Sequence, residues 1–241
     1  MWFEWFPLIA GGLAVFVGAI VQGGVGFGMG LIASPLITLI DPGVMPGAVQ
    51  VVNAVLPLFT LALEWRRIDW PGLGFALLGR LPGSALGALV VVYVSTRTLG
   101  VLVGLMVVAA AVATARAVAV RRNGFTLTAA GFLSGITGTA TGIGGPPMGL
   151  VYQSARGPQI RATLAMFFFL SATQSLALLA LVGRLPAHAL STGLALVPFV
   201  VVGFVVSAPL RRYLDGGRVR TALLGLAIIS ACALIGESLA G

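Results

Sequence analysis

Two glycine-rich stretches interrupt a chain otherwise made mostly of Leu, Val, Ala and Ile. Thr139 to Gly149 reads TATGIGGPPMG, and Gly18 to Gly28 reads GAIVQGGVGFG. Clustered glycines and the adjacent Pro146 and Pro147 are poor helix material. Where a helix restarts after such a break, its first N–H groups have no partner and the helix dipole puts positive potential there. That is chemistry for holding an anion, and glycines let the anion approach the backbone closely. Gln22, Thr139 and Thr141 add side-chain hydrogen bonding.

Other chemistries lack their parts. The single histidine, His188, has no companions for a metal site, although its charge can respond to pH. The single cysteine, Cys232, sits among apolar neighbours and reads as a small buried hydrophobe. The six acids, Glu4, Asp41, Glu64, Asp69, Asp215 and Glu237, all fall at segment ends or in loops. A proton or sodium relay through a bilayer usually needs a carboxylate at depth. No cofactor and no enzyme activity are expected.

Apolar residues make up 59% of the 241 and charged residues 8%. Too little polar material remains to cover a soluble surface. Barrel strands would alternate apolar and polar residues, and these runs do not. The chain reads as an all-α, multi-pass membrane protein. The net charge of +8 comes from fourteen arginines, scattered singly and in pairs between apolar runs. That pattern suits topology signals better than nucleic-acid binding. With Glu4 and no basic segment ahead of it, the N-terminus does not read as a cleavable signal; Trp2 and Trp5 read as interface anchors.

Five apolar elements are expected in each half: 7–22, 28–40, 45–63, 71–93 and 98–119, then 126–139, 146–155, 159–182, 187–209 and 219–238. A full span needs about 20 residues. The third, fourth and fifth of each half reach that, while the first two are short and flank a break. The halves also resemble each other. Pro82-Gly83, Gly87, Tyr93 and Gly104-Leu105 recur as Gly203, Ser207, Tyr213 and Gly225-Leu226, at an offset of roughly 116 to 121 throughout. Residues 1–120 and 121–241 thus read as two repeats, and an odd number of elements inverts the second. Each opens with a broken hairpin around a Gly-rich turn. With the central loop in the cytoplasm, Arg66, Arg67, Arg116, Arg121, Arg122, Arg156, Arg161, Arg211, Arg212, Arg218 and Arg220 are inside. Only Arg97 and Arg184 are outside, as the positive-inside rule expects, and both termini are then outside.

Two broken hairpins entering from opposite faces would converge near the midplane and form one anion site. The competing account is that the glycines only permit tight helix packing. Arg80 lies about ten residues into its span, near mid-depth. It reads either as part of the anion path or as an arginine packed against carbonyls. Gln50 and Asn53 share a helix face, as do Ser171 and Gln174; interhelical hydrogen bonding is the plainer account of both pairs. Arg161 either draws anions towards the site or only sets topology.

GAIVQGGVGFGMGLIASP at Gly18–Pro35, with GFLSGITGTATGIGGPP at Gly131–Pro147, resembles the TauE/SafE family, also called the sulfite exporter family. The resemblance covers nearly the whole chain. It implies transport, usually outward, of sulfite or organosulfonates such as sulfoacetate or sulfolactate, in a bacterial plasma membrane. By motif, it carries binding over to Gln22, Gly24, Gly26 and Gly28, and to Thr139, Thr141, Gly142, Gly144, Gly145 and Pro146. The first copy departs from the tidier GGG form, reading GFGMG. The expected partners are a small anion and the lipid bilayer, and the sequence leaves a homo-oligomer open. A carrier, a passive anion channel and a ligand-free scaffold are the functions to separate.

Overall fold

A computed structural model describes residues 2–116, 120–214 and 217–240. Those residues fold into helices α1 (Trp2–Val25), α2 (Met29–Ile40), α3 (Gly47–Glu64), α4 (Trp70–Tyr93), α5 (Thr96–Arg116) and α6 (Gly124–Thr141). They continue with α7 (Gly145–Tyr152), α8 (Gly157–Leu181), α9 (Ala187–Ala195), α10 (Val197–Leu214) and α11 (Gly217–Ala240). No strand occurs among the described residues. Asp215 lies outside them, and the side chains of Trp2, Glu4, Trp5, Arg116, Arg211, Arg212, Arg218 and Arg220 are likewise not described.

Helices predominate because a chain of this composition must satisfy every backbone group within its own segment once in lipid. Among the described residues, five helical stretches are long and apolar enough to cross a membrane: Pro7–Val25, Gly47–Arg67, Trp70–Tyr93, Gly157–Leu181 and Ala187–Leu210. Two expectations are corrected here. The first element is not short, because α1 continues through Gly23 and Gly24 to Val25. Gly23 packs against α10 instead of ending the helix: a Cβ there would meet Ser207 Oγ at 2.3 Å. The fourth element of the second half is two helices, α9 and α10, separated at Leu196. The fifth elements of the two halves, α5 and α11, are helices of 21 and 24 residues.

Small residues set the closest packing. Gly79, Gly83 and Gly87 of α4 lie four apart and face Thr128, Phe132 and Ile136 of α6. Cβ atoms there would stand 1.9, 2.2 and 2.6 Å from those residues' carbonyl oxygens. Any side chain would separate the helices, as in small-xxx-small membrane pairs. The matched order makes α4 and α6 parallel. Likewise α1 runs parallel to α10, Gly12 meeting Phe199, Phe16 and Ala19 meeting Gly203, and Gly23 meeting Ser207. Helix α5 is antiparallel to α11, with Gly100 near Ser238 and Gly104 near Ala231.

Two apolar cores flank the centre. One joins α1, α2, α3, α9 and α10 through residues such as Val15, Met29, Val49, Leu196 and Phe204. The other joins α4, α6, α7 and α8 through Ala76, Leu127, Met148, Leu164 and Phe167. Cys232 is exposed on α11, against the expected burial. Lipid takes an apolar outward-facing side chain as readily as a core does, so apolar neighbours do not predict burial in such a helix.

The ends of the bundle differ in charge. At one end Arg161 pairs with Glu64 at 2.7 Å and Arg122 with Asp69 at 3.5 Å. Arg66, Arg67, Arg121 and Arg156 lie at the same end, on the connections around these pairs. At the other end His188 Nε2 lies 3.3 Å from Asp41, and Arg184 donates to the Val92 carbonyl at 2.6 Å.

Candidate anion site

The two breaks are short and built on glycine. Gly142 caps α6 in the left-handed region at φ 77°, and Gly28 precedes α2 at φ 128°. An L side chain at either position would be strained, so glycine is needed to turn the chain there. The tips meet. A Cβ on Gly30 would stand 2.3 Å from the Gly142 carbonyl oxygen, and Phe27 packs on Gly145 and Gly149.

Between them lies a cavity of about 30 Å³, lined by Gln22, Gly28, Gly30 and Leu31 of the first break region and by Gly138 and Ile143 to Pro146 of the second. Roughly 10–15 Å³ accommodates one water-sized sphere, so the space suits a few waters or one small oxyanion. Gln50, Asn53, Arg80, Phe168, Ser171 and Ala172 complete the wall. No carboxylate among the described residues belongs to it. Among the described residues, the N–H groups of Gly28, Gly30, Ile143, Gly144 and Gly145 have no acceptor.

Arg80 supplies the charge. It is 2% exposed, brought in by the glycine contact of α4 with α6. Its Nη1 donates to the Ser134 carbonyl at 2.9 Å, and its Nη2 to the Ser171 carbonyl at 3.1 Å and Ser175 Oγ at 3.0 Å. The Phe167 ring centroid lies 5.5 Å from Cζ. All these partners are neutral, so the guanidinium stays an uncompensated cation in a poorly solvated place, where its field is strong. Among the described residues its Nε has no partner, and neither does Ser171 Oγ, itself 4% exposed in the wall. Buried polar atoms seldom stay unpaired, so both point to a polar guest.

Amide side chains hold the tips. Gln50 Nε2 donates to the Gly138 carbonyl at 2.6 Å, and Asn53 Nδ2 to the Gly142 carbonyl at 3.2 Å. Gln22 Oε1 accepts from the Met29 N–H at 3.3 Å, capping α2.

Of the sequence candidates, Gln22, Gly28, Gln50, Asn53, Arg80, Gly142, Gly144, Gly145 and Pro146 line the cavity. Gly24, Gly26, Thr139, Thr141 and Gln174 do not. Gly24 stays within α1. Gly26 turns in the break but faces Arg161 of α8, whose Cα is 3.3 Å from where a Cβ would stand. Thr139 Oγ1 pairs with Ser175 Oγ at 2.8 Å and so sits behind Arg80. Thr141 Oγ1 donates to the Thr137 carbonyl of its own helix at 2.7 Å. Gln174 sits half-buried on α8, one turn beyond Ser171, which does line the wall. Pro146 and Pro147 also thin the expected amide cluster, because proline brings no N–H to the first turn of α7.

Sequence reasoning missed Gly30, Gly138, Phe168 and Ser134. A hydroxyl in a run of small residues, as in GFLSGITG, was the available signal for Ser134.

The family model described as sulfite exporter TauE/SafE matches residues 10–234. The chain belongs to the TauE/SafE family. A curated TauE/SafE relative from Cupriavidus necator, described as a probable sulfite/organosulfonate exporter TauE, is 28% identical over 213 residues, 81% of each chain. No solved structure matches the chain. Membership in TauE/SafE makes this a multi-pass membrane protein of a transporter family.

Proposed function

We propose that this protein is a secondary carrier exporting a small sulfur-containing anion, sulfite or an organosulfonate such as sulfoacetate, through the cavity between the two breaks. The observation that carries the reading is the convergence there of unpaired N–H groups with a buried cation that no carboxylate among the described residues neutralises. Helix N-termini directed at an anionic group are how broken-helix transporters hold such substrates. The name of the Cupriavidus necator relative agrees with this substrate class.

Residues 1–120 and 121–241 act as inverted repeats in this reading. Supporting this, α1 pairs in parallel with α10 as α6 does with α4, while α5 lies antiparallel to its counterpart α11. Rocking of one repeat against the other would alternate access to the cavity. The arginine-rich end is cytoplasmic and both termini are outside, because basic residues favour the inner side. An inside-negative potential then favours export by about 2.3 kcal/mol per charge per 100 mV. Without a carboxylate among the described residues of the wall, any proton travels on the substrate.

Purified protein in liposomes should give saturable flux of labelled sulfite or sulfoacetate, accelerated by a potential that is positive on the receiving side. No saturable flux of either anion by folded protein removes the proposal. Conductance far above carrier turnover replaces the carrier with a passive anion channel.

A further inference from the structure

We infer that Ser134 is a positioning residue for the transported anion, because its hydroxyl aims the Gly145 N–H into the cavity; this rests on the anion-site reading above. Ser134 is fully buried on α6, and its Oγ donates to the Gly144 carbonyl at 2.6 Å. The peptide joining Gly144 to Gly145 is planar and trans, so its C=O and N–H point in opposite directions. A carbonyl drawn to Ser134 turns the Gly145 N–H away from Ser134. Both glycines line the cavity, and that N–H has no acceptor among the described residues.

The orientation matters because donors are scarce on this side. Pro146 and Pro147 follow directly and contribute no N–H. The peptide is also easily turned, having glycine on both sides. A turned peptide would present a carbonyl oxygen to the anion in place of a donor. Ser134 also joins the amide to the charge, since its own carbonyl accepts from Arg80 Nη1 at 2.9 Å. The unpaired Arg80 Nε and Ser171 Oγ mark the same space as one built for a polar guest.

The test compares wild type, Ser134→Ala and Gly144→Ala by sulfite-dependent thermal stabilisation in detergent and by sulfite flux at varied concentration. A hydrogen bond to a charged group supports about a tenfold rise in half-saturation when it is lost. Ser134→Ala should show that rise, with a smaller fall in maximal flux per folded protein. A merely structural residue would instead lower the amount of folded protein and leave half-saturation alone. Gly144→Ala breaks the same contact from the other side, as its Cβ would stand 2.7 Å from Ser134 Oγ. It should match Ser134→Ala, and the double variant should add little to either. If Ser134→Ala does not fold, Gly144→Ala carries the test. Wild-type half-saturation in the folded variants overturns the role of Ser134 alone. Failure of wild type to bind or move sulfite and sulfoacetate overturns the anion site and this inference with it.

Discussion

Gly30 of α2 stands so close to Gly142 that a Cβ on Gly30 would lie 2.3 Å from the Gly142 carbonyl oxygen. Asn53 donates to that same oxygen at 3.2 Å. Two breaks far apart in sequence are therefore joined by a contact of backbone on backbone, with an amide side chain holding one of them. The width of the cavity is set at this point.

Gly30→Ala should push the tips apart. Overpacking of a close contact costs about 1–3 kcal/mol. The expected result is a lower melting temperature and loss of sulfite-dependent stabilisation. Gly74→Ala is the control, because a Cβ there meets nothing within 4 Å. Gly30→Ala with wild-type stability and binding would show that the tips have slack.

Arg80→Gln and Arg80→Lys separate charge from shape. Glutamine removes the cation beside the cavity, and sulfite affinity should fall at least tenfold by loss of a charge-assisted interaction. Lysine keeps a point charge but cannot reach Ser134, Ser171 and Ser175 together as the planar fork does. Its affinity should lie between those of wild type and the glutamine variant. Equal affinity in wild type and Arg80→Gln, measured by calorimetry on folded protein, would reduce Arg80 to a packing role.

Glu64→Gln tests the pair at the arginine-rich end. Glu64 and Arg161 are joined at 2.7 Å with side chains 14% and 16% exposed, beside Gly26 of the first break. Leaving one member of a mostly buried pair uncompensated should lower stability by about 1–3 kcal/mol, the partial exposure holding it below the fully buried range. Exchanging the two residues, Glu64→Arg with Arg161→Glu, should restore part of it. An unchanged melting curve for Glu64→Gln would place this pair with ordinary surface ion pairs.

Much of the architecture was legible because apolar run length and Gly/Pro punctuation act locally. The start of α2 after Gly28 and of α7 after Gly144, and the span α4 over 70–93, follow from such signals. The end of α1 did not. Gly23 looks like a breaker until α10 lies against it, and then the missing side chain favours the helix pair. Cys232 shows the same limit, since an apolar neighbourhood faces lipid and core alike.

By itself the sequence determined a multi-pass helical chain, two glycine breaks, the uneven placing of arginine and the family. These depend on composition and on the chain's own short-range conformational preferences. Only the tertiary structure decided which polar groups face the cavity. Thr139 and Thr141 look as able to bind as Gln22, but their hydroxyls are taken by Ser175 and by the Thr137 carbonyl. Ser134, in a run of small residues, becomes the link between Arg80 and Gly144. A hydrogen bond needs its partner within about 3 Å, and such partners come from helices far apart in the chain.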